Sequence, residues 1–369
     1  MAVQDVVEVD LGGHLVTVPK GGLYDRFRMR TDLDEVERDP QVSSVGFFRK
    51  LPKTEVNSAI GPTLTPNFYY RISTARLVML ARSRDIRSRL PKALAPLEVA
   101  PGVGIVSVMF FRYDVCDIDF YTEAAVGVAV RPARHGKLGF ADLASSLAND
   151  HLHSYVLSLP VSTQIAQVRG HDGYGFPKWV TELDVSIDAE RTVARVGNDS
   201  GGVDLALSAR TPAQAKYGTG ERVSTLTSYT SLGGAWHSTM SQTNVLSAGS
   251  VRFPRGVDLE IGQGRMADDL RVPKPIKTIQ FDVVTEGQLA LHMPVPVSVG
   301  FKAAGPVGVD MWVGRSSRFL TMSPPPMCAS PRVVGRAYYA ARLSASCAIS
   351  QGRPSRSAPE SLATASAPR

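Results

Sequence analysis

The stretch Gly170-His171-Asp172-Gly173-Tyr174-Gly175-Phe176-Pro177-Lys178-Trp179 sets one lysine behind a glycine-rich bend and a rigid Phe-Pro step. Gly173 and Gly175 permit a sharp change of direction, while Pro177 fixes its own φ and biases Phe176 towards extended geometry. Lys178 is thus presented from a stiff segment. A lysine attacks a carbonyl only as the free amine, and with an unperturbed pKa of ~10.4 about one in a few thousand is uncharged at neutral pH. The apolar neighbours Tyr174, Phe176 and Trp179 supply a remedy. Desolvation disfavours the ammonium form and lowers a lysine pKa by up to ~3–5 units. Such an amine forms Schiff bases with ketones. A lone lysine after proline is ordinarily a solvated surface residue, so the weight rests on the whole ten-residue pattern and on a glutamate upstream.

That glutamate lies in Phe120-Tyr121-Thr122-Glu123-Ala124-Ala125-Val126, where a charged residue enters an apolar strand. It either caps a strand end in water or lines a cavity, where it handles a proton or neighbours a substrate carboxylate. Around it the dominant period is two, in 105–112, 126–130, 155–168, 181–187, 192–196 and 203–208. Gly287 separates two further strands, 279–285 and 288–293, and Asn198-Asp199-Ser200-Gly201-Gly202 is a turn cluster. Many short strands with few helices predict a closed or nearly closed antiparallel β structure, which also removes exposed edges. The chain has no internal repeat.

At the start, 6–11 and 14–18 flank Gly12-Gly13 and read as a hairpin, followed by a brief capped helix at 31–37. Two strands alone are marginal, so this region is expected to dock on the main domain or on a neighbouring subunit. From Pro66, 68–71 leads to 77–80 and then to a basic helical stretch, 82–90, stopped before Pro91.

The chain of 369 residues, 43% hydrophobic, has ample core for one large domain or two modest ones. Acidic residues stand near the start where a signal peptide needs basic ones, and no apolar run approaches the ~18–20 residues of a membrane span. A cytoplasmic protein with no membrane partner is expected. Cys116, Cys328 and Cys347 form no disulfide framework and are read as free thiols. The net charge of +7 is concentrated in 323–369, where six arginines stand against the single acid Glu360. That Ser-, Ala- and Pro-rich tail buries too little to offset its ordering entropy and is expected to be disordered. With the body nearly balanced, no specific nucleic-acid partner is expected. Asp150-His151-Leu152-His153 lacks a nearby third ligand, and Gly218-Thr219-Gly220-Glu221 lacks the context of a nucleotide-binding loop.

The 170–179 stretch resembles the active-site lysine motif of the acetoacetate decarboxylase family: Gly-Arg-Glu, three variable residues, then aromatic-Pro-Lys-Lys. Tyr121-Thr122-Glu123 resembles the family's Tyr-Thr-Glu, and the likeness spans about 66–296. It implies an α+β, mainly antiparallel fold, a cone-shaped β-barrel with flanking helices and the lysine reaching into its cavity. The chain then divides into an N-terminal extension, 1–65, a barrel domain, 66–322, and the tail, 323–369. The resemblance further implies catalysis by Lys178 and Glu123, substrate contacts from Arg71, His171, Asp172, Phe176 and Trp179, no metal or other cofactor, and a homo-oligomer. Acetoacetate decarboxylase is itself the worked example of lysine activation by desolvation or a cationic neighbour.

The chain also departs from the family. His171 replaces the motif arginine, Asp172 its glutamate, Trp179 the second lysine, and Val108 falls where the family carries another active-site acid. In an extended segment residues 178 and 179 point to opposite faces, so activation by desolvation survives the tryptophan. The leading expectation is decarboxylation of a 3-oxo acid through a lysine Schiff base. The alternatives are Schiff-base aldolase-dehydratase chemistry on a 2-oxo acid such as pyruvate, and a non-catalytic barrel that binds a small molecule.

Overall fold

A computed structural model describes residues 5–132, 146, 148–217 and 222–297. The expected tail, Cys328, Cys347 and the 218–221 glycine cluster lie outside the described residues, whereas every site residue named above lies within them. Seven strands form a closed ring: β1 (Asn67–Arg82), β2 (Val103–Cys116), β3 (Tyr121–Pro132), β4 (His151–Ser158), β5 (Val223–Leu232), β6 (Ala235–Arg252) and β7 (Lys277–Leu291). Each strand pairs with the next in sequence, and β7 returns to β1. Every pairing is antiparallel except β4 with β5. Parity requires this, since an odd number of strands cannot alternate direction all the way round a ring. A parallel pair in turn needs a crossover connection. Here the crossover is 159–222, and it contains the lysine stretch.

The wall strands are rich in β-branched and aromatic residues, and their two faces diverge by alternation. On one face, Val106, Val108, Phe110, Ala124 and Val126 join a core shared with a four-stranded antiparallel sheet and the helix Arg265–Arg271. That sheet runs Leu183–Ile187, Arg191–Gly197, Val203–Arg210, Val257–Ile261. On the other face, Tyr113 and Tyr121 enter a separate buried cluster with Tyr69. The protein is therefore α+β, dominated by antiparallel strands in a closed seven-stranded barrel with flanking helices, as the resemblance implies.

Two strand expectations are corrected. Residues 155–168 are not one strand: β4 ends at Ser158, and Gln164–Val168 is a helix. Pro160 cannot donate to a ladder, and beyond it Ile165, Ala166 and Val168 are buried at helical spacing. Gly287 does not separate two strands either. It lies inside β7, where the pairing with β1 shifts register on both sides of it, as in a β-bulge.

The hairpin Val6–Leu11/His14–Pro19 is present, and its Val9, Leu11, Val16 and Val18 pack into the cluster that holds Tyr69, Tyr113 and Tyr121. Asp117, fully buried, fastens this region to the barrel. It accepts from Lys53 Nζ (2.5 Å), Thr31 Oγ1 (2.7 Å), Phe68 N (2.6 Å) and Tyr70 OH (2.8 Å).

Candidate active site

Backbone stitching brings the two halves of the site together. Ala124 N donates to Pro160 O and Ser162 N to Thr122 O, so 160–162 lies along β3 on either side of Glu123. Leu159 N then donates to Pro177 O, Val161 N to Trp179 O and Thr181 N to Val161 O, which lays 177–181 beside the same segment. Lys178 and Glu123, 55 residues apart in sequence, meet across it: Nζ lies 2.5 Å from Oε2. Both side chains are nearly buried, 7% and 8% exposed.

The approach to this contact depends on two glycines. Arg169–Gly173 forms a π-helical turn, a local feature that often marks functional sites. Its Gly170 carries the lysine across its α-carbon, where an added β-carbon would fall 2.2 Å from Lys178 Cδ. Gly175 holds φ at 74° while its O-side neighbour Phe176 closes the loop by donating N–H to Gly170 O at 2.9 Å. Phe176 and Tyr174 are buried in a cluster with Ala125, Leu159 and Met293.

Three phenols surround the carboxylate side. Tyr113 OH donates to Glu123 Oε1 at 3.1 Å, and the hydroxyls of Tyr69 and Tyr121 are 3.0 Å apart. The Lys178 amine stands 5.7 Å from the Tyr121 ring centroid. Burial, and after it the Glu123 charge, pushes Tyr113 well above the ordinary phenol range. Burial, then Tyr69 and Glu123, does the same to Tyr121. These groups therefore remain protonated donors. Sequence reading missed Tyr113, whose signal is the β2–β3 register. Phe111 lies opposite Glu123, so alternation sets Tyr113 on the same face one pair along.

The other expected contacts divide. Phe176 is buried beside the loop, as above. His171 is exposed, its Nδ1 3.2 Å from Phe176 O, and Asp172 lies 3.8 Å from His14 Nε2 on the hairpin. Arg71 and Trp179 have charged and aromatic contacts of their own. Arg71 sits where the pairing of β1 with β2 shifts register, between Tyr69 and Ile72. It is one-third exposed and faces Asp114 and Glu286, each at 3.9 Å. Trp179, on the opposite side of the extended segment from Lys178, packs against the four-stranded-sheet core with Arg265 5.3 Å from its ring centroid. Val108 also belongs to that core, on the face away from Glu123.

A cleft of about 520 Å³ lies beside the loop, lined by Asn57, Asp172, Leu232, His237, His292 and Met293 among others. Neither Lys178 nor Glu123 lines it. Met293 belongs both to the cleft wall and to the buried cluster of Tyr174 and Phe176. Among the described residues no group of three or more His, Cys, Asp or Glu could hold a metal ion, and no helix is long and apolar enough to cross a membrane.

The family model for acetoacetate decarboxylase (ADC) matches residues 56–229. Solved structures of similar fold include an acetoacetate decarboxylase from Legionella pneumophila, 12% identical, covering 63% of this chain and 87% of that one with a TM-score of 0.46. The enduracididine biosynthesis enzyme MppR complexed with pyruvate is 13% identical, with coverage of 63% and 91% and a TM-score of 0.44. An acetoacetate decarboxylase-like enzyme from Sphingomonas wittichii RW1 is 11% identical, with coverage of 63% and 92% and a TM-score of 0.40. No curated protein matches the chain.

Proposed function

The chain belongs to the acetoacetate decarboxylase-like superfamily, and from that premise we propose that it is a cofactor-independent carboxy-lyase that decarboxylates a 3-oxo acid through a Schiff base on Lys178. The observation that carries this reading is the buried contact of 2.5 Å between the Lys178 amine and Glu123. Glu123 takes the ammonium proton and frees Nζ to attack the ketone carbon. Loss of water from the carbinolamine gives the iminium. The electron pair of the bond to the carboxylate carbon then flows into the iminium, carbon dioxide departs, and the resulting enamine is protonated on carbon and hydrolysed to release the amine. Tyr113 supports Glu123 by donating to its second oxygen. Neither metal nor pyridoxal phosphate enters these steps.

A second reading keeps the same amine and replaces decarboxylation with aldol condensation and dehydration of a 2-oxo acid such as pyruvate. It is favoured by Val108, whose place in the opposite core leaves Glu123 as the carboxylate in contact with Lys178. Borohydride added with acetoacetate or with pyruvate, followed by peptide mass analysis, tests both. An adduct on Lys178 with acetoacetate, accompanied by carbon dioxide release, supports the first reading. An adduct with pyruvate and aldol product from an added aldehyde moves the assignment to the second. No adduct with either, or with longer 3-oxo acids, leaves a non-catalytic binding barrel as the better account. The proposal includes a cytoplasmic homo-oligomer, which light scattering on the full chain tests.

A further inference from the structure

The cleft beside the lysine loop is chemically one-sided. Val56, Leu232, Met293, Pro294 and Val295 give it apolar walls. Asp172 is the one acidic side chain on its lining among the described residues, and neither lysine nor arginine stands there to balance it. The Asp172 side chain is 29% exposed, and its carboxylate faces His14 Nε2 at 3.8 Å, too long for a hydrogen bond. A histidine supplies no permanent charge, so the carboxylate still lacks a cation.

The two imidazoles on the lining are left as acceptors as well. His237 Nδ1 lies 3.1 Å from Ala235 O, and because a carbonyl only accepts, that nitrogen carries the proton and Nε2 accepts. His292 Nε2 lies 2.9 Å from Gln242 Oε1, which by the same rule leaves its Nδ1 as the acceptor. Burial holds the His292 pKa below its ordinary value, so this ring is neutral at pH 7 and adds no positive charge. Asp172, His237 and His292 are not gathered as a metal site is. They are spread around a space of about 520 Å³, within the ~300–1,000 Å³ of small-molecule sites.

The geometry points to this cleft as a binding site for an organic cation, an ammonium or guanidinium on an apolar stem, with its charge on Asp172 and its stem against Leu232 and Met293. Both head groups are rich in N–H donors, and a carboxylate with two imidazole nitrogens answers them. Neither Lys178 nor Glu123 lines the cleft, so the occupant is a second molecule and not the keto acid. The inference therefore stands apart from the Schiff-base reading. The occupant nonetheless bears on the lysine loop. Asp172 belongs to the π-helical turn whose Gly170 lies against Lys178, and Leu232 packs on Gly175, where an added β-carbon would fall 2.8 Å from its Cγ.

The test is calorimetric titration of the full chain at pH 7.5 with 2-phenylethylamine. The controls are 2-phenylethanol, which is uncharged, 3-phenylpropionate, which is anionic, and the trimethylammonium analogue of the amine, which keeps the charge without an N–H. The amine binds, the alcohol and the acid bind at least about 10-fold more weakly, and the trimethylammonium analogue falls between. Asp172→Asn weakens the amine about 10- to 100-fold, the loss expected for a hydrogen bond to a charged group. His237→Phe removes one neutral acceptor, weakens the amine about 2- to 10-fold, and keeps the test open if Asp172→Asn does not fold. Glu123→Gln leaves the affinity as it was, which separates the cleft from the other carboxylate near the loop. No binding of the amine, equal affinity for amine and alcohol, unchanged affinity in the folded Asp172→Asn or His237→Phe chain, or loss of binding in Glu123→Gln each overturns the proposal. Absence of an adduct on Lys178 would end the Schiff-base reading without touching this one.

Discussion

Gly170→Ala asks how closely the reactive side chain is docked. The new β-carbon would fall 2.2 Å from Lys178 Cδ, 2.4 Å from Cε and 3.0 Å from Nζ, where ordinary contact begins at 3.4 Å. Gly170 is not among the positive-φ glycines, so the backbone accepts alanine and the lysine's outer chain has to yield. That chain is flexible, and overpacking of this kind costs about 1–3 kcal/mol, or roughly 2–4 °C in melting temperature per kcal/mol. Reactivity is affected far more, because a displacement of about 1 Å at the reacting atom costs on the order of 10²-fold in rate. The amine also loses its alignment on Glu123, now at 2.5 Å. The assay is the rate of borohydride trapping at Lys178, read by peptide mass analysis, with a thermal melt of the same sample. The expected result is trapping slowed by about 10²-fold with a melting temperature lowered by a few degrees. Equal trapping rates in the two proteins would refute the argument that Gly170 sets the position of the amine.

Glu123→Gln keeps the size and removes the charge; turnover should fall by ~10²–10⁴-fold with the circular dichroism spectrum intact, and unchanged turnover would return Glu123 to a structural role. Tyr113→Phe removes one donor from Glu123 Oε1, worth about 0.5–1.5 kcal/mol, so a several-fold loss of rate is expected and no loss would show that the phenol is dispensable. Asp117→Asn breaks a buried pair with Lys53 and should lower stability by about 3–5 kcal/mol in urea titration; a shift below about 1 kcal/mol would mean that the N-terminal region is fastened elsewhere.

Local signals were readable where one residue decides the outcome. Gly12-Gly13 gives the hairpin its turn, and alternation marks the faces of β2 and β3. The helix Gln164–Val168 was hidden because five residues, of which Ile165, Ala166 and Val168 are apolar, are too few to fix a period, and only Pro160 signalled the break. The Lys178–Glu123 contact was legible through a pair of motifs, since nothing local spans 55 residues. Arg71 illustrates the limit: the pairing of β1 with β2 shifts register on either side of it, an irregularity that no sequence pattern announces. Tyr113 was overlooked for a related reason. Placing it needs the pairing of two strands.

The seam between β7 and β1 has a consequence for the chain during its synthesis. Its partners, from Lys277 with Leu80 to Leu291 with Asn67, lie roughly 200 residues apart, a very non-local pairing. At ~5–20 residues per second, a ribosome takes about 10–40 s to deliver the second partner after the first. Throughout that interval β1 can pair with β2 yet keeps one long, unpaired edge, which is an invitation to neighbouring nascent chains. Charge on that edge works against such encounters. Arg76 stands there, and once β7 arrives it closes on the buried Asp282 at 2.6 Å, so the residue that guards the open edge becomes the clasp of the finished ring.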